Sequence, residues 1–296
     1  MLTIVSACPK LETPLRSVTN DPGDRGASLV ALPHADADGG FTHPAAVENA
    51  GGGGRFVIVC DHASNFFPSE YGSLGLGAAA RETHIAWDPG ALGVSRKLAL
   101  MLDAALVYAK VSRLVIDCNR PVDAPDLIAE TSESTAIPGN RSLSDAERLR
   151  RIATIHEPYH RAINELVDAR LAAGRATALI AVHSFTPVYF GVRRPWQVGV
   201  IFDRDRRLAD ELIEGLKAAG LTVGVNEPYS PADRVYYTLE RHAEARGLPC
   251  AMIEVRNDLI RGEDEQQDWA GRIARVLAAV PASSRGRQAA ATGRGT

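Results

Sequence analysis

The stretch "VIVCDHASNFFP", residues 57–68, runs four apolar residues straight into Asp61 and His62, then breaks into small and polar residues. A strand with one wet face alternates apolar and polar side chains. An uninterrupted apolar run suits a strand covered on both faces. The pattern recurs twice. "ALIAVHSFTP", residues 178–187, ends on His183, and "CAMIEVRND", residues 250–258, has Glu254 at the matching place.

Helical and strand-like patterns alternate around these runs. Strands are predicted at 55–60, 178–184, 198–202, 222–228 and 250–255, with extended segments at 105–111 and 113–118. Helices are predicted at 88–104, 206–220, 237–247 and 264–280. The first of these takes Asp88 as N-cap and Pro89 at its first position. Residues 142–174 have helical periodicity, with an interruption at Pro158 and Gly174 as the stop. The pattern predicts an α/β fold: three layers, with a mixed, mostly parallel sheet and helices on both faces. Residues 1–54, rich in Pro, Asp, Ala and Gly and closing on "AGGGG", read as a poorly ordered leader and linker with at most a short strand. Residues 55–280 read as one domain and 281–296 as a disordered tail.

The chain has 296 residues, 45% hydrophobic and 23% charged, with a net charge of −3. That gives no basic excess to argue for nucleic acid. No apolar run approaches the ~18 residues of a membrane span. The expectation is a cytoplasmic protein with a small-molecule substrate, no nucleic-acid partner and no membrane partner. Its oligomeric state is left open. Cys8, Cys60, Cys118 and Cys250 are too widely spaced for a zinc knuckle or a disulfide framework and read as small buried residues.

In a sheet of this kind ligands bind beyond the C-terminal strand ends. His62, His183 and Glu254 could therefore converge on one rim. Neutral imidazoles suit zinc, and a carboxylate beside a zinc-activated water can take its proton. A fourth stretch, "SRLVIDCNRP" (112–121), crowds Arg113, Asp117, Asn119 and Arg120 together. An arginine fork pairs bidentately with a carboxylate, Asn119 can add a neutral donor, and Asp117 can hold one arginine. The blander reading of this stretch is an ion-pair network. Taken together, a metal, a base and a carboxylate clamp suit hydrolysis of an acylated amino acid.

"CDHASNFFP", "HIAWDPGA", "SRLVIDCNRP", "IHEPYH", "VHSFTP" and "IEVRNDL" resemble, in this order, motifs of the N-formylglutamate amidohydrolase family. The resemblance covers about residues 56–280. It implies a zinc carboxypeptidase-like (phosphorylase/hydrolase-like) fold, one divalent metal ion (zinc), and release of formate from N-formyl-L-glutamate during histidine breakdown. It also implies His62 and His183 as metal ligands, Glu254 as general base, Arg113 as the group polarising the scissile carbonyl, and Asn119 with Arg120 as the carboxylate grip. The third ligand is open. Carboxypeptidase-like enzymes have a Glu three residues after the first histidine, and this chain has Asn65 there, a weaker and uncharged ligand. Asp88 and Asp61 are the alternatives, Asp61 also as a partner orienting His62.

Other residues carry weaker signals. His84 and Trp87 could line the pocket or pack in the core. "HEPYH" (156–160) has the spacing of a zincin helix, but Pro158 in its middle argues against one. Tyr159 and His160 could instead stand near the pocket, and Arg193 and Arg194 could contact an anion or form a solvated rim. Two rival functions remain: a deacylase for another N-acyl amino acid or short peptide, and a non-catalytic binding protein that keeps the pocket.

Overall fold

The computed structural model describes residues 43–281. Its strands are β1 (Ala45–Glu48), β2 (Phe56–Cys60), β3 (Ala105–Ala109), β4 (Thr131–Ser132), β5 (Thr135–Ala136), β6 (Ala178–Phe185), β7 (Val188–Tyr189), β8 (Val192–Arg193), β9 (Val198–Ile201), β10 (Val223–Val225) and β11 (Cys250–Arg256). Its α-helices are α1 (Ala78–Arg81), α2 (Ala91–Met101), α3 (Asp145–Arg151), α4 (Glu157–Ala172), α5 (Arg207–Ala218), α6 (Tyr237–His242) and α7 (Glu263–Ala279). Seven strands form one sheet in the order β1-β3-β2-β6-β11-β9-β10. Its centre, β3-β2-β6-β11, is parallel; β1 and β9 pair antiparallel with β3 and β11, and β10 follows β9 in parallel. This is the α/β architecture expected from the sequence.

Strand alternation sorts the core into two layers. Val57, Val59, Leu179, Ala181 and Met252 join α4 and α6 on one face, with Tyr159, Ile163 and Leu239. Ile58, Ile180, Val182, Ile253 and Val255 join α2, α5 and α7 on the other, with Leu98, Leu212 and Ile273. Continuing the alternation past Val59, Ala181 and Met252 sends Asp61, His183 and Glu254 toward the α4/α6 face.

Several boundaries differ from expectation. Residues 113–118 are not a strand. The run is buried, but its carbonyls find side chains instead of a neighbouring strand: Leu114 O accepts from Asn140, Val115 O from Arg151, and Cys118 O from His160. Apolar content alone cannot separate a strand from a buried coil whose polar groups are satisfied this way. Helix α2 starts at Ala91, after Gly90 with φ +82, so Asp88 is not its side-chain cap and Pro89 lies outside the helix. A Cβ at position 90 would press on Ile260. The helical stretch is not broken at Pro158: α3 and α4 are joined by a π-turn at Ile152–His156 whose backbone stays right-handed helical, and the missing Pro158 N–H falls just after this change of hydrogen-bond spacing. The predicted strand 222–228 shortens to β10, and helix 237–247 to α6 plus a single 3₁₀ turn.

Residues 1–42 and 282–296, including most of the predicted leader and tail, lie outside the described residues. Residues 43–54 supply β1 and a glycine turn whose Gly52 and Gly54 carbonyls accept from Arg170. Cys60, Cys118 and Cys250 are buried and free. No helix among the described residues is long and apolar enough to cross a membrane.

Candidate active site

Register places the site. His183 on β6 lies directly opposite Glu254 on β11, and the β2–β6 pairing (Val59 with Ala181) brings Asp61 level with His183. The loop after β2 returns so that the Asp88 N–H donates to His62 O at 2.9 Å, which fixes the Asp88 carboxylate above both histidines.

The two histidines are wired alike. His62 Nε2 lies 2.7 Å from Asp117 Oδ1, and His183 Nε2 lies 2.9 Å from Asp61 Oδ2. Carboxylates only accept, so each Nε2 is suited to carry a hydrogen toward its carboxylate, an arrangement that leaves the two Nδ1 lone pairs for a cation. Both Nδ1 atoms face Asp88 Oδ2, at 3.3 Å from His62 and 2.8 Å from His183. His62, Asp88 and His183 thus present three ligand atoms within 4.8 Å of one another, all buried. Three acceptors turned on one point require positive charge there: a proton on a histidine, or a metal. The protein itself favours the charge, for Asp61 and Asp88 outweigh burial and raise the His183 pKa well above its ordinary value. The donor set, two imidazoles and one carboxylate with carboxylates behind the imidazoles, fits a divalent transition metal.

Asn65 does not join this group. Its amide nitrogen donates to Arg81 O at 3.2 Å and Glu82 Oε2 at 3.0 Å, and the carboxylate that faces both histidines is that of Asp88. Asp61 stands behind His183, not His62, and accepts from Tyr159 Oη (2.8 Å) and Thr238 Oγ1 (2.7 Å) through its other oxygen. Burial alone would favour the acid forms of Asp61, Asp88 and Asp117. Charge and hydrogen bonds from the histidines, with Arg113 and Arg120 at Asp117, outweigh it and hold all three below the usual carboxylate range. Glu254 differs. Burial, against the pull of His183 and with Asp88 adding to it, pushes its pKa up to about 7, and its Oε2 has no hydrogen-bond partner among the described residues.

Arg113 spans Asp117 (3.0 Å) and Asp88 (3.5 Å). Arg120 Nε donates to Asp126 at 2.8 Å, while its Nη1 donates to the carbonyls of Asn119 and Arg234. The Asn119 amide is engaged at both ends, accepting from Thr238 N and donating to Val235 O. All of these face one cavity of about 240 Å³ together with His62, Asp88, His183 and Glu254, a size suited to a small ligand. His84 lines it too, bonded to Glu133 at 3.1 Å.

Contributors that escaped the sequence reading include Asp126, the β4–β5 hairpin (Thr131, Ser132, Glu133), Tyr189 and Tyr229. One signal existed for Tyr229. Gly199 and Gly224 are register partners on β9 and β10, and a Cβ on either would meet Glu227 O. Small residues there admit the chain that carries Tyr229 over the sheet edge. His156 and His160 are buried outside the cavity lining and bond the Arg120 and Cys118 carbonyls.

Residues 54–261 match the family described as N-formylglutamate amidohydrolase. Among solved structures, the gene product Atu2144 from Agrobacterium tumefaciens is 45% identical with a TM-score of 0.79, over 81% of this chain and 95% of that one. An N-formylglutamate amidohydrolase from Ralstonia eutropha JMP134 is 24% identical with a TM-score of 0.56, over 80% and 98%. No curated protein matches the chain.

Proposed function

The chain belongs to the N-formylglutamate amidohydrolase family, and from that premise we propose that it hydrolyses the amide of N-formyl-L-glutamate to formate and glutamate, with zinc held by His62, Asp88 and His183. The observation that carries the reading is the convergence of three buried acceptors beside an unpaired Glu254. A divalent metal there supplies a Lewis acid for the scissile carbonyl and makes water easier to ionise at neutral pH.

The chain's own residues do the rest. Glu254 Oε2, lacking a partner, is free to take a proton from water and return it to the leaving amine, and a pKa near 7 suits both steps. Arg113, oriented by Asp88 and Asp117, offers N–H groups to the developing oxyanion. Arg120 takes the substrate's α-carboxylate. Asn119 lines the same wall and positions the 235–238 segment, keeping one amide hydrogen in reserve. The same reading carries the cytoplasm as location and histidine breakdown as pathway.

The test is formate release by purified, zinc-loaded protein from N-formyl-L-glutamate, beside N-acetyl and N-succinyl analogues. Formate release with zinc at one per chain supports the proposal. Cleavage of the N-acetyl or N-succinyl compounds in preference would favour the other deacylase reading.

A further inference from the structure

Arg194 is only 9% exposed, yet no carboxylate lies within ion-pair distance of it among the described residues. The two cavity arginines are different: Arg113 is met by Asp88 and Asp117, and Arg120 by Asp117 and Asp126. Burying a guanidinium without an anion is costly, and the protein offsets that cost here with aromatic faces. The Arg194 guanidinium stands 4.4 Å from the Tyr189 ring centroid, 4.7 Å from Tyr229 and 5.7 Å from Phe185. Its Nη1 donates to Tyr229 Oη at 3.1 Å and lies 3.5 Å from Thr186 O. Nε and Nη2 have no partner among the described residues, and neither is sealed from solvent.

The position is built. Arg194 directly follows β8, and its N–H donates to Pro187 O at 2.9 Å, closing the β7–β8 hairpin that leaves β6 just after His183. Arg194 is not itself among the residues lining the cavity that contains His183 and Glu254, but Phe185, Thr186, Tyr189 and Tyr229, the four residues that hold it, all are, so it stands directly behind that wall. Glu133, bonded to His84, also lines that cavity and repels an anion from its part of the wall. A substrate with two carboxylates brings one more negative charge than Arg120 alone can meet. Because Tyr229 Oη accepts from Arg194, its own hydrogen is left to donate to the same anion.

We propose that Arg194, framed by Tyr189 and Tyr229, reads the side-chain carboxylate of the substrate and makes this enzyme selective for an acidic amino acid. The assignment rests on the N-acyl amino acid reading above. It adds a residue for the part of the substrate that the metal, Glu254, Arg113 and Arg120 do not touch. A neutral amide of the same shape loses the charge-assisted fork while keeping every other contact.

The experiment compares N-formyl-L-glutamate with N-formyl-L-glutamine, in hydrolysis and in calorimetric binding, for wild type, Arg194→Met and Arg194→Lys. The expected result is a wild-type preference for the glutamate compound of about 10- to 100-fold in kcat/KM and Kd. In Arg194→Met, where an apolar chain stays among the rings, the preference collapses toward one; Arg194→Lys recovers part of it. Equal handling of the two compounds by wild type overturns the proposal even if neither variant folds, and so does an Arg194→Met protein that keeps the preference. If wild type hydrolyses neither compound but binds the glutamate one selectively through Arg194, the reaction reading fails and this assignment stands.

Discussion

Among the described residues lie two groups of buried histidines, made of the same side chain and put to opposite uses. His62 and His183 have carboxylates at both ring nitrogens: Asp117 and Asp61 behind, Asp88 in front. His156, His160 and His242 have mainly neutral acceptors and each other: His156 bonds Arg120 O, with the half-exposed Glu157 3.6 Å from its other nitrogen, His160 bonds Cys118 O, His242 Nδ1 faces Asn164 Oδ1 at 2.9 Å, and His160 Nδ1 meets His242 Nε2 at 2.8 Å. The first group draws positive charge. In the second, burial, with Arg241 nearby, pushes the His160 pKa well below its ordinary value and that of His242 down to about 3. A histidine cluster is therefore read from what backs the imidazoles, not from how many there are. The second group pins the two carbonyls flanking Asn119, and so serves the site at one remove.

The largest effect that tests this contrast comes from the first group. His183→Ala or Asp88→Ala should abolish stoichiometric zinc and, with it, activity. Metal analysis of the purified variants decides the matter, and full occupancy in either would end the ligand assignment. Next is Glu254→Gln, which should keep the metal and lower turnover by ~10²–10⁴-fold, the range for a positioned proton shuttle. In wild type the rate should fall as pH drops through a pKa at or below about 7, because the carboxyl must lose its proton to act and a bound cation pulls it down from that value. Loss of metal in Glu254→Gln would make it a ligand instead.

Arg120→Lys should raise KM by about 10-fold with kcat little changed, because lysine keeps the charge but not the fork. A fall in kcat at constant KM would place Arg120 at the transition state and not at the α-carboxylate. His160→Ala, in the second group, should leave zinc in place and cost ~2 kcal/mol of stability in urea unfolding, since the buried Cys118 carbonyl loses its donor. A zinc-free but normally stable protein would reverse the roles of the two groups. The smallest effect belongs to Asn65→Ala. Its amide reaches only Arg81 and Glu82 among the described residues, so zinc content should not change.

The sequence by itself determined the sheet and its rim. Continuous apolar runs closing on Asp61–His62, His183 and Glu254 state both which strands are covered on two faces and which side chains stand at their ends. Alternation along a strand then leaves little freedom in where each points. It could not determine which residue joins His62 and His183 in the buried group. Asp88 stands beside a helix start, where a carboxylate can cap an N-terminus or turn into the site, and only the return of the loop onto the His62 carbonyl chooses between them. Nor could it show that 113–118 is a coil, since the donors that satisfy its carbonyls, Asn140, Arg151 and His160, come from far along the chain. Arg194 is the extreme case. In the sequence it is one of two adjacent arginines, and only folding surrounds it with rings from two separate segments and leaves it without an acid among the described residues. Periodicity fixes direction within an element, whereas loop side chains take theirs from the partners that tertiary structure brings.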